Sequence, residues 1–235
     1  HSAALWGPWQ QDRGDTFRQP TQQSVKSFMD DLLIHCSEEH PQIRLVLLHG
    51  WGADASDLMP LGESLARGSG LALECLALNA PLPHPAGFGR QWYGLFPAQW
   101  ADVPQAVNQL KERLEAIDQQ QIPLSRTVLL GFSQGGAMAL DVGCQLPLAG
   151  IIACSAYPHP HWQPRTERPP VVLIHGRDDD VVPVEAQTEL AEQLGGESET
   201  CQLITFSGGH TIPETTQPLM VQALQSWLKP ISQAP

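Results

Sequence analysis

From residue 43 to the end of the chain, short and almost wholly apolar runs alternate with amphipathic stretches, and this alternation narrows the fold more than any other feature. The apolar runs are IRLVLLHG (43–50), LALECLAL (71–78), RTVLLGF (126–132), LAGIIACSA (148–156), VVLIHG (171–176) and TCQLITF (200–206). Helical patterns lie between and after them, at 56–67, 102–120, 134–145, 183–194 and 214–228. In the second of these, Val103, Ala106, Val107, Leu110, Leu114 and Ile117 fall on one face, as the 3.6-residue period requires. A strand that is apolar along its whole length must be covered on both sides, which is the situation of a parallel sheet packed between helices. The pattern therefore predicts an α/β fold: one doubly wound, mostly parallel sheet with helices on both faces, spanning 41–235. Upstream, Val25, Phe28, Met29, Leu32, Leu33 and Cys36 follow helical spacing after Ser24, a suitable N-cap. Residues 1–40 are accordingly expected to form an N-terminal arm and an amphipathic helix packed on the domain. Residues 79–100 read as a long aromatic loop and 157–170 as a Pro-rich surface loop.

Charge and cysteine usage exclude several functions. Thirteen Lys and Arg against 25 Asp and Glu leave the 235-residue chain at −12, which disfavours nucleic acid and anionic membranes as partners because both are polyanions. The five cysteines are odd in number and widely spaced, with no CxxC, so they read as reduced, buried thiols in a reducing, cytoplasmic setting. No run approaches the ~18 apolar residues of a membrane span, and the first residues lack the basic flank and apolar core of a signal peptide. A stable membrane anchor is not expected.

In a doubly wound sheet, chemistry sits beyond the carboxyl ends of the strands. The segment GFSQGG (131–136) lies there, between a strand and a helix, and has the GxSxG form with Ser133 at its centre. Small neighbours let such a turn tighten until the serine stands above the sheet edge, and the amide of Gln134 then points into the site at a helix N-terminus, where negative charge is favoured. A serine hydroxyl needs a base, and the base needs an orienting acid. In this kind of fold the chain order is serine, acid, histidine. RDDD (177–180) follows a strand and offers the acid from among Asp178, Asp179 and Asp180. Of nine histidines only His210, in the small-residue loop SGGHTIP, comes later. A second oxyanion donor is required from an early strand–helix loop; HGWG (49–52) supplies the amide of Trp51. His49 and His175, each before a Gly at a strand end, read as structural hydrogen-bonders. His159-Pro160-His161 has no Cys or carboxylate cluster beside it, three consecutive aspartates cannot converge on one ion, and there is no GxGxxG or Walker pattern. Neither a metal nor a nucleotide cofactor is implied.

The segments LLHGWGAD (47–54), GRQWYGLF (89–96), LLGFSQGGAMAL (129–140), IHGRDDDVVP (174–183) and SGGHTIP (207–213) together resemble the phospholipase/carboxylesterase family of α/β hydrolases, which includes bacterial carboxylesterases and acyl-protein thioesterases. The resemblance implies Ser133 as nucleophile and His210 as base. It singles out Asp179 as the acid, with Trp51 and Gln134 as oxyanion donors, and no cofactor. It also places Trp92 near the substrate, and the aromatic loop adds Tyr93 and Phe96 as pocket residues. The aromatic richness of 89–100 favours the bacterial esterase branch. The expected activity is hydrolysis of short- to medium-chain carboxylic esters, small or lipid-like, through an acyl-enzyme. The alternatives are an acyl thioesterase or lysophospholipase with the same triad, or a hydrolase-fold binding protein with a dead site. The chain keeps both serine and histidine, which argues for the enzyme.

Overall fold

The computed structural model describes residues 32–36, 40–118 and 121–229. Seven strands form the main sheet: β1 (Leu32–Cys36), β2 (Ile43–Leu48), β3 (Leu73–Leu78), β6 (Thr127–Phe132), β7 (Gly150–Cys154), β8 (Val171–Gly176) and β9 (Cys201–Phe206). Two-residue strands β4 (Leu82–Pro83) and β5 (Arg90–Gln91) pair separately as a small antiparallel ladder in the aromatic loop. The order across the sheet is β1-β3-β2-β6-β7-β8-β9. All six strands from β3 to β9 in that order run parallel, as the alternation predicts, and β1 joins antiparallel at the edge.

The helices α1 (Met59–Ser69), α2 (Val103–Asp118), α3 (Gln134–Gly143), α4 (Glu185–Gln193) and α5 (Gln217–Trp227) cover both faces. Strand residues alternate between the two layers, as a period of two dictates. Val128 and Leu130 of β6 pack with Leu65 of α1 and Leu224 of α5. Leu129, between them, packs with Leu110 of α2, Met138 of α3 and Leu190 of α4. Every residue of β2, β7 and β8 is buried, which is why those runs read as almost wholly apolar. No helix among the described residues is long and apolar enough to cross a membrane.

One element differs from the sequence reading. The helix expected over 24–36 is, in its described part, a strand: Leu32–Cys36 pairs with β3, from Leu32 opposite Ala77 to Cys36 opposite Glu74. The remainder of that expected helix lies outside the described residues. A slip in register between Leu33 and His35 leaves Ile34 as an extra residue, and such a bulge destroys the strict alternation by which a strand would be recognised. The open edge of β3 offers unpaired N–H and C=O groups, and pairing with them outweighs a helical apolar spacing that propensity alone favours only weakly.

The chain runs from β2 outward to β3 and then returns to the other side of β2 to form β6. That reversal separates the loops leaving β2 and β6, and it opens a crevice at their carboxyl ends.

Candidate active site

The turn after β6 puts Ser133 in that crevice. Ser133 has φ 55° and ψ −117°, a region an L-residue occupies only when its surroundings force it. The glycines on either side make this possible. A Cβ on Gly131 would collide with the carbonyl of Gly135, and one on Gly135 would collide with the carbonyls of Leu48 and His49. The first turn of α3 is thereby pressed directly onto the end of β2.

His210, in the loop after β9, holds Ser133 and Asp179 together. Its Nε2 lies 3.0 Å from Ser133 Oγ and its Nδ1 lies 2.7 Å from Asp179 Oδ2. A carboxylate can only accept, so Nδ1 carries the proton and Nε2 is left to accept from the serine. The other carboxylate oxygen, Asp179 Oδ1, accepts from the amides of Val181 (3.0 Å) and Val182 (2.8 Å). The Asp179 side chain is fully buried, whereas Asp178 and Asp180 are exposed. Burial of a charge is tolerated only with such a set of donors. The acid and histidine loops are tied by two backbone bonds, from Arg177 N–H to Phe206 O (2.9 Å) and from Asp178 N–H to Gly208 O (2.9 Å). The ring of Phe132 lies against His210, with centroids 4.8 Å apart.

Two histidines at strand ends support these loops. His175 Nε2 donates to Val182 O (2.8 Å) and lies 3.5 Å from Asp179 Oδ2. Burial pushes its pKa below the ordinary value, outweighing the raising effects of that carbonyl and of Asp179, so it is neutral and the contact is not an ion pair. His49 donates through Nδ1 to Gly50 O (2.7 Å) and accepts at Nε2 from the amide of Ala80 (3.0 Å). Burial lowers its pKa too. Both act as structural hydrogen-bonders, as the sequence reading has them.

Trp51 follows His49-Gly50, and Gln134 opens α3. Neither amide has an acceptor among the described residues, and the two loops touch: a Cβ on Gly50 would lie 3.5 Å from Ser133 Cβ. The residues expected in an acyl pocket are placed differently. Trp92 and Tyr93 are 2% and 0% exposed and belong to the core between the sheet and α2–α3, so they present no surface to a substrate. Phe96 is 59% exposed and packs edge-on against Trp51, with centroids 5.1 Å apart. The open groove beside His210 has a volume of about 690 Å³; its lining includes Phe132, Ile212, Leu58 and Leu61, with exposed Asp57 and Arg67, and none of the three expected aromatics.

The loop 157–170 also differs from a plain surface loop at one end. His159 is 4% exposed; its Nδ1 donates to Asp141 Oδ2 (2.7 Å) and its Nε2 lies 2.9 Å from Tyr93 Oη, which in turn lies 2.6 Å from Tyr157 Oη. Burial raises the pKa of both tyrosines, which keeps the chain of hydroxyls neutral. Its members come from α3 and two separate loops, and no local sequence signal links them.

A serine on a strained strand–helix turn, a histidine after the last strand and a buried aspartate, arranged on this sheet, define an α/β hydrolase. The chain belongs to the phospholipase/carboxylesterase family, whose model matches residues 29–230. It is 31% identical over 217 residues to acyl-protein thioesterase 1 of Emericella nidulans, covering 78% of this chain and 88% of that one. Among solved structures, the esterase PE8 is similar with a TM-score of 0.74 and 32% identity, over 84% of this chain and 97% of that one. Acyl-protein thioesterase 2 of Zea mays shares the fold, with a TM-score of 0.67 and 18% identity over 84% of this chain and 98% of that one. The protein is thus a hydrolase of the carboxylesterase and acyl-protein-thioesterase type.

Proposed function

We propose that the protein is a serine carboxylesterase that cleaves short- to medium-chain carboxylic esters through an acyl-enzyme. Ser133 Oγ attacks the ester carbonyl carbon while His210 Nε2 takes the hydroxyl proton. Asp179 fixes the imidazole tautomer and stabilises the imidazolium as it forms. The carbonyl oxygen gains negative charge and is held by the amides of Trp51 and Gln134. His210 then returns the proton to the departing alkoxide, leaving Ser133 acylated and an alcohol. Water, deprotonated by the same Nε2, attacks the acyl carbon; its proton passes through His210 back to Ser133 Oγ as the carboxylic acid leaves. The observation that carries this reading is the continuous chain from Asp179 through His210 to Ser133 at 2.7 and 3.0 Å.

The groove beside His210 supports the substrate range. Half-buried Phe132 and Ile212 offer a short apolar group a small surface, while Asp57, Ser64, Arg67, Thr211, Glu214 and Gln217 in the same lining disfavour a long hydrocarbon. Each added methylene gains roughly 0.8 kcal/mol only while it finds apolar cover. In a series of p-nitrophenyl esters from acetate to palmitate, kcat/KM should peak within roughly C2–C8. A maximum at palmitate would overturn the chain-length assignment. Acyl thioester hydrolysis is the second reading, favoured by the 31% identity to a protein named acyl-protein thioesterase 1. A thioester of the same acyl group assayed beside the oxygen ester separates the two.

A further inference from the structure

The segment of residues 90–93 touches both arms of the oxyanion hole. It lies alongside the β2 arm through a reciprocal backbone pair, from Gly52 N–H to Arg90 O (2.8 Å) and from Arg90 N–H to Ala53 O (2.7 Å). Gln91 Oε1 accepts from the Trp51 indole N–H (2.9 Å). Trp92 then joins the two arms: its indole N–H donates to His49 O (2.9 Å), and its backbone N–H donates to Gln134 Oε1 (3.0 Å). Gln134 completes the clasp by donating from Nε2 to Tyr93 O (2.8 Å). All of these groups are buried except Trp51, Gly52, Ala53 and Arg90, which are half-buried. Gln134, assigned as an oxyanion donor through its amide, is therefore fixed through its side chain, and the carbonyl of His49, two residues before the Trp51 amide, is fixed by an indole.

We propose that Trp92 is a positioning residue that holds the two oxyanion-hole arms in register, and that it acts on the transition state rather than on the choice of acyl chain. The proposal rests on the assignment of Trp51 and Gln134 as oxyanion donors. Two N–H groups from different loops stabilise one oxygen only if both point at the place where its charge develops, and that requires rigid mutual placement before the reaction begins. A Trp with no exposed surface cannot gate a substrate. Its two N–H groups reach the two arms that must stay aligned.

The test compares Trp92→Phe, which keeps a ring but removes the indole N–H, with wild type. The expected result is a fall in kcat of about tenfold or more with KM changed little, because the lost alignment matters only when the oxyanion forms. Affinity for an alkyl trifluoromethyl ketone, whose hemiketal oxyanion occupies the hole, should fall by a similar factor. The ratio of kcat/KM for octanoate over acetate should stay unchanged. Gln134→Met, which retains the backbone amide but removes the side-chain bonds to Trp92 and Tyr93, should show the same split, and it serves as the second variant if Trp92→Phe fails to fold. Unchanged kcat and ketone affinity in a folded variant would overturn the proposal, as would a shifted octanoate-to-acetate ratio, which would make Trp92 a pocket wall. Ser133→Ala run in parallel keeps the outcomes apart. If it is inactive while Trp92→Phe behaves as wild type, the triad stands and the brace falls.

Discussion

Among the three consecutive aspartates, burial distinguishes one. Asp179 is inside, with His210 and two backbone amides on its oxygens, while Asp178 and Asp180 face solvent. An acid that orients the base contributes about 10³–10⁴ in kcat, through tautomer and charge rather than through shape. Asp179→Asn should therefore lose about that factor in steady-state turnover while keeping its fold. Asp178→Asn and Asp180→Asn should stay within a few-fold of wild type. A large loss at either neighbour would put the acid in the wrong register. The residue scale also shows what a sequence carries and what it does not. Ser133 was legible because the turn that holds it is encoded within six consecutive residues, GFSQGG. His210 was legible by chain order, since it alone follows the acidic cluster. Trp92 and Tyr93 were not legible as core residues. An aromatic in a loop has the same local sequence whether it faces a substrate or packs under α3, and only the bonds to His49, Gln134 and Tyr157 from distant segments decide it.

The turn that carries Ser133 depends on how closely α3 and β2 approach. Gly135 has the carbonyls of Leu48 and His49 where a Cβ would be, so a methyl group there must push the helix start away from the strand. Gly135→Ala should lower stability by about 1–3 kcal/mol and lower kcat as well, because Ser133 and the Gln134 amide move with the helix. Met138, fully buried one turn further on, is a control on the same helix. Met138→Leu conserves volume and should cost less than about 1.5 kcal/mol with activity retained. Urea unfolding paired with ester turnover checks both. Equal losses of activity in the two variants would show that the helix acts through general packing and not through its contact with β2. At this scale the parallel strands were readable because burial on both faces leaves a continuous apolar run. β1 was not, because it is an edge strand with a bulge whose partner, β3, lies about 40 residues away in sequence.

For the molecule as a whole, two of the buried histidines, His49 and His175, link stability to pH. Burial lowers the pKa of both His49 and His175 below the ordinary value of 6.5, while in the unfolded chain they titrate normally. Above that value both states are neutral and the native state keeps its full stability. As pH falls through it, the unfolded chain takes up protons that the native state refuses, so stability declines until the lower native values are reached. The slope is at most about 1.4 kcal/mol per pH unit for each histidine. Urea midpoints should therefore fall between pH 7 and pH 5, and His49→Asn should flatten part of that fall. A wild-type midpoint constant over the range would mean that neither histidine is held neutral by the fold.

The central claim is that Ser133 is the nucleophile of this sheet-edge site, and covalent labelling tests it most directly. A fluorophosphonate probe, followed by peptide mass spectrometry, should modify the wild-type protein at Ser133 alone. Ser133→Ala should take no label and should lose about 10⁴-fold or more in kcat, since nucleophile and base act as a unit. Label on a different serine, or an alanine variant that still turns over ester at close to the wild-type rate, would contradict the account.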